Sequence, residues 1–246
     1  APDGIIWVVD LCQFRATKSL VHELIDLNCM VLITGSKFYG APPFCGAILI
    51  PNDIINRVQN WDPDIIAPFA NIFSKYDIPS QYAELRQVLP DFKNYGLLSR
   101  WEVALSEIQE MSSIKTYSVL SSISKWNAFV MAKLEENQQY FQPMPDQDLT
   151  NKTIISFQCK HPDGSMLTDL ELKELHKSIT LSEHSGLQGY NRVITGQPVK
   201  YVDRSFIRIA LGSSDLRWLM DNDFDFHNDS RLVDIFVEHL RKLFWD

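Results

Sequence analysis

Short apolar runs separated by turns open the chain, and a helical period takes over in its middle. Residues 5–10, IIWVVD, form a continuous apolar run ending in an acid, the pattern of a strand buried on both faces. Residues 16–27 place Leu20, Leu24 and Leu27 on one helical face. The runs 29–34 (CMVLIT) and 45–50 (CGAILI) are again short and β-rich. Strand, helix and strand with short connections predict a parallel α/β sheet. Residues 52–95 are irregular and punctuated by Pro63, Pro68, Pro79 and Pro90. From about Leu97 to Gln139 the spacing predicts two helices or one long broken one. QPMPDQD (142–148) has the composition of a linker. Beyond it the pattern predicts a strand at 153–159, a turn at His161-Pro162-Asp163-Gly164 and a helix at 168–180. A strand at 206–211 and helices near 213–220 and 230–243 complete a smaller α+β domain.

Composition narrows the classes. The 246 residues are 45% hydrophobic and 22% charged, an ordinary globular balance, and the net charge of −8 argues against a nucleic-acid binder. No apolar run reaches the roughly 18 residues that span a bilayer, and the first residues lack a basic region typical of a signal peptide. Four cysteines without CxxC spacing read as free thiols of a cytoplasmic protein. The six histidines form no HExxH or comparable set, so no metal site is expected.

The candidate chemistry lies in the first fifty residues. Asp10 ends a predicted parallel strand, where open α/β sheets place ligand-binding residues. Lys37 follows the next strand in a loop, TGSKFYG, so the two side chains can converge on one crevice. A buried lysine beside an acid has a use, because its amine can form a Schiff base once its pKa is lowered. Thr34 and Ser36 bring hydroxyls, and with Gly35 they offer backbone amides suited to an anion. Each residue also has a structural reading. Asp10 could form a turn, Lys37 could be solvated, and Arg208, charged within the apolar run 206–211, could serve a structural ion pair.

The D-x-x-Q pattern at Asp10 and Gln13, the helix, the apolar strand ending in S-K-F-Y-G and the G-A-I-L-I-P strand together resemble the fold-type-I pyridoxal-phosphate enzymes. The nearest branch is that of class-V aminotransferases and cysteine desulfurases, which the separation of 27 positions between Asp10 and Lys37 also suits. Residues 206–212, FIRIALG, resemble the branch's small-domain strand, and Gly196-Gln197-Pro198-Val199 resembles the segment before it.

The resemblance implies the C-terminal portion of a transferase, in three parts. Residues 1–95 would belong to a large, mostly parallel cofactor-binding domain, 96–150 to a helical connection and 151–246 to a small α+β domain. It implies that Lys37 carries pyridoxal 5'-phosphate as a Schiff base, that Asp10 pairs with the ring nitrogen and that Gln13 bonds the phenolic oxygen. Thr34 and Ser36 would contact the phosphate, and Arg208 the carboxylate of an amino acid substrate. It further implies a homodimer and an amino acid or amine substrate, most simply in an aminotransferase. Two departures qualify the pattern: Ser36 stands where the desulfurase branch has histidine, and 180–207 contains no cysteine, which argues against desulfurase chemistry. The family's phosphate-cup turn and ring-stacking aromatic would precede Asp10, so the chain is expected to be part of a longer enzyme and inactive alone. The competing reading is a degenerate relative that keeps the fold for association.

Overall fold

The computed structural model describes residues 4–13, 16–57, 63–144 and 152–245. Residues 145–148 of the expected linker lie outside that set. The chain divides into two compact units, Ala1–Glu110 and Met111–Asp246, so the division falls within the predicted helical stretch. The architecture is mixed α/β.

In the first unit, β1 (Trp7–Leu11) leads through α1 (Lys18–Asp26) to β2 (Cys29–Thr34), and β3 (Gly46–Leu49) follows. Thr17 caps α1 by accepting the Leu20 amide at 3.2 Å. The three strands form one sheet in the order β1-β2-β3. β1 and β2 are parallel, with Asp10 opposite Leu32, whereas β2 and β3 run antiparallel, with Thr34 opposite Gly46. The antiparallel return departs from the parallel strand–helix–strand sheet expected here, and a mostly parallel sheet is not seen among the described residues. The return has a simple cause: the loop after β2 folds back on itself, the Gly35 amide donating to Cys45 O at 2.9 Å, and only an antiparallel strand can follow a connection that short.

Burial corrects a second expectation. Val31 and Ile33 of β2 are buried, but Trp7 and Val8 of β1 are more than half exposed. The outer edge of β1 pairs with no strand among the described residues, so its apolar run is not covered on both faces. Leu20 and Leu27 of α1 are likewise exposed. The irregular stretch holds three short helices, α2 (Asn52–Arg57), α3 (Pro63–Ile66) and α4 (Ala83–Gln87), with a tight turn at Ala67–Phe69. Long helix α5 (Tyr95–Ser112) follows.

The second unit begins with α6 (Thr116–Glu136) and builds a four-stranded antiparallel sheet, order β4-β5-β7-β6. Its strands are β4 (Phe141–Pro143), β5 (Ile154–Cys159), β6 (Val199–Tyr201) and β7 (Arg204–Ala210). The period-2 pattern puts Ile155, Phe157, Cys159, Ile207 and Ile209 on one face, all buried. The helices α7 (Asp169–Leu181), α8 (Ser213–Asp221) and α9 (His227–Leu240) supply the rest of the core, α9 running on into a wide turn at Arg241–Trp245. Leu172, Leu175 and Ile179 of α7 are fully buried, each contributing about 1.5–3 kcal/mol by transfer from water. A capping box starts α7: the Thr168 hydroxyl accepts the Glu171 amide while the Glu171 carboxylate accepts the Thr168 amide at 2.8 Å. The short strands β4 and β6 are edge elements, too brief for an alternating pattern to reveal them.

Candidate functional site

The loop joining β2 to β3 is held on three sides. Gly35 lies so close to α5 that an added Cβ would stand 2.3 Å from Ala104 Cβ, and Ala104, Ala41 and Cys45 form one buried cluster with Trp101 against it. The Trp101 indole N–H donates to Gly46 O at 3.3 Å. Within the loop, Ala41 N–H donates to Gly35 O and Gly40 N–H to Lys37 O. Phe38 is buried, edge-on to Tyr39, whose hydroxyl is pushed above its ordinary pKa by burial and then by Glu107. This frame leaves Lys37 exposed at the crest of the loop. The sequence predicts a buried lysine; with Phe38 turned into the core, its neighbour Lys37 faces outward.

Asp10 is also exposed, near the C-terminal end of β1. Its carboxylate accepts the Cys12 amide at 2.8 Å, a local turn of the kind aspartate forms two residues ahead of a backbone N–H. The Cys12 thiol bond and then this amide hold the Asp10 carboxyl below the usual range, and the positive charge of Lys37 adds to the effect. The same interaction pushes the Cys12 thiol up. Asp10 thus lies near the end of β1, and Lys37 in the loop that follows β2, its parallel neighbour. Gln13 sits half-buried in the turn after β1.

Thr34 and Ser36 are engaged with each other. The buried Thr34 hydroxyl donates to Cys45 O at 2.6 Å, lies 2.9 Å from Ser36 Oγ and accepts the Ser36 amide at 3.3 Å. The Thr34 proton is thus committed to closing the β2–β3 turn, and the Ser36 hydroxyl must rotate before it can donate to an anion. As a test of fit to pyridoxal phosphate, adjacent parallel strands lead to an acid and to an amine, while of the two hydroxyls only that of Ser36 can be released without breaking the turn.

Arg208 belongs to the second unit. In β7 it opposes Ser156 of β5, half-buried on the face opposite Ile207 and Ile209. It has no ion-pair or hydrogen-bonded carboxylate partner among the described residues. Asp10, Gln13, Thr34, Ser36 and Lys37 are together in the first unit.

Cys12 is the contributor that the sequence did not reveal. Along the chain it reads as one of four free thiols; in the structure Cys45 is buried, whereas Cys12 is half-buried and holds the acid. The D-x-C spacing was the available signal, since a side chain at position i reaches the amide at i+2. Among the described residues no three His, Cys, Asp or Glu side chains gather at a metal-sized site, and no helix is long and apolar enough to cross a membrane. Comparison with protein-family models, with curated proteins and with solved structures found no match to this chain.

Proposed function

We propose that the chain supplies the lysine side of a pyridoxal-phosphate site and acts on an amino acid or amine, as an aminotransferase of the fold-type-I kind. The observation that supports this most is the placing of Asp10 near the end of β1 and of Lys37 in the loop that follows β2, its parallel neighbour. Under this reading Lys37 would hold the cofactor covalently through its amine and, once the substrate amine had displaced it, would be free to move a proton at the substrate carbon. Asp10, kept ionised by Cys12, would accept a hydrogen bond from the ring nitrogen and favour its protonated form. Bound pyridoxal phosphate would supply the electron sink that the side chains themselves lack. Gln13 would orient the ring through its phenolic oxygen, and Ser36 would turn toward the phosphate. Arg208, a half-buried guanidinium without a carboxylate partner among the described residues, is the natural grip for a substrate carboxylate.

The same reading places β1 and β2 in a larger, mostly parallel sheet and the chain in a homodimer. The outer edge of β1, which pairs with no strand among the described residues, and the exposed Trp7 and Val8 support it, because such an edge is ordinarily covered. Four free thiols suit a reducing, cytoplasmic setting.

The test is covalent. The protein is incubated with pyridoxal phosphate, reduced with borohydride, digested and mapped. The expected label is on Lys37 and absent from Lys37→Ala; a label on another lysine, or none, refutes the assignment. One observation favours a second reading, a non-catalytic relative that keeps the fold: the Thr34 hydroxyl is committed to the turn. That reading expects no label on Lys37 and a fold intact in Lys37→Ala.

A further inference from the structure

Tyr76 gathers cations from three separate parts of the first unit. The Lys75 ammonium lies 5.2 Å from the ring centroid, the Arg86 guanidinium 5.8 Å and the Lys93 ammonium 5.9 Å, all within cation–π range. Lys75 comes from the turn at 74–77, Arg86 from α4 and Lys93 from the segment before α5. The ring is 47% exposed, so ring and cations are open to a solute.

The turn that presents them is well fixed. Ser74 is fully buried, its amide donates to Asp77 Oδ2 at 2.7 Å and its hydroxyl accepts the Tyr76 amide at 3.2 Å. The Lys75 amide donates to Pro90 O at 3.1 Å, tying this turn to the stretch that carries Asp91 and Lys93. Asp91 pairs with Lys75 at 2.5 Å and also bonds Tyr76, and Lys75 first, then Tyr76, holds its carboxyl down. Asp91 therefore neutralises one of the three cations. Arg86 and Lys93 have no ion-pair partner among the described residues, although the chain as a whole is acidic, with a net charge of −8.

We propose that Tyr76, Lys75, Arg86 and Lys93 form a binding site for a small phosphate-bearing dianion, distinct in residues from the Asp10–Lys37 pair. Like charges converging on one ring repel one another, and a compact anion set among them removes that repulsion. The Arg86 and Lys93 charges suit a phosphate monoester, which carries about −1.5 to −2 at neutral pH, better than a monoanionic carboxylate. Arg86 adds the planar fork that binds phosphate oxygens in pairs.

The experiment titrates the full chain with inorganic phosphate by calorimetry at constant ionic strength, with acetate as the monoanion. Phosphate is expected to bind, and acetate to bind at least about tenfold more weakly. The double variant R86Q/K93Q should lose about tenfold or more in phosphate affinity, whereas K177Q/K200Q, with the same change in net charge, should stay within about twofold of the unaltered protein. All four positions are at least partly exposed, so the variants keep the fold, which circular dichroism checks. The proposal is overturned if phosphate fails to bind, if acetate binds equally well, or if R86Q/K93Q binds phosphate like the unaltered protein. Phosphate held at the Lys37 loop would give the last of these results, so failure here leaves the borohydride test of Lys37 standing.

Discussion

Asp229 lies in the first turn of α9, with its carboxylate accepting the Trp126 indole N–H at 2.7 Å. Burial, opposed by that hydrogen bond and reinforced by the nearby Asp215 charge, pushes its pKa from 3.8 up to about 6. A folded-state pKa above the unfolded value means that the native state holds its proton over the interval between them. Its contribution is therefore fully present below the unfolded pKa of 3.8 and is lost as pH rises through about 6. At about 1.36 kcal/mol per pH unit, the interval corresponds to about 3 kcal/mol lost by pH 7. Asp229→Asn keeps an oxygen for Trp126 and removes the charge. It also gives up a favourable charge at a helix N-terminus, worth about 0.3–1 kcal/mol, so the net gain near pH 7 should be about 2 kcal/mol. Urea unfolding of both proteins, followed by circular dichroism across pH 4 to 7.5, measures it. The variant should be the more stable near neutrality, with an advantage that shrinks as pH falls toward 4. A variant no more stable than the unaltered protein at neutral pH, or a gain that does not change with pH, would refute the reasoning.

Three further outcomes follow from the geometry. Gly35→Ala forces a methyl group into Ala104 and should cost about 1–3 kcal/mol in chemical denaturation, with the β2–β3 loop disturbed in amide spectra. Thr168→Ala removes the hydroxyl half of the α7 capping box and should lower stability by about 0.5–2 kcal/mol, while Thr168→Ser should recover most of it. Under the proposed function, Arg208→Lys should raise KM sharply for amino acids and little for amines lacking a carboxylate; equal effects on both would assign Arg208 a structural role.

What the sequence determined by itself is local. The apolar run 29–34 became β2, the Thr168–Glu171 spacing became a capping box, and the alternation at 153–159 and 206–211 became the buried face of the second sheet. These features depend on side-chain period and on contacts within a few residues, which the order of residues encodes directly. The order of residues also sets Asp10 near the end of β1 and Lys37 in the loop after β2. Tertiary structure decided direction, exposure and long-range charge. β3 runs antiparallel because the Gly35–Cys45 bond closes the loop tightly. Lys37 is exposed because Phe38, its neighbour, takes the buried position. β1 reads as a buried strand, yet its cover depends on what lies across its edge, which no periodicity reports. Lys75, Arg86 and Lys93 are unremarkable when read along the chain, and they become one basic cluster only where a turn, a helix and a loop converge on the ring of Tyr76. Electrostatic and burial energies depend on distances in space, and sequence separation carries little information about those.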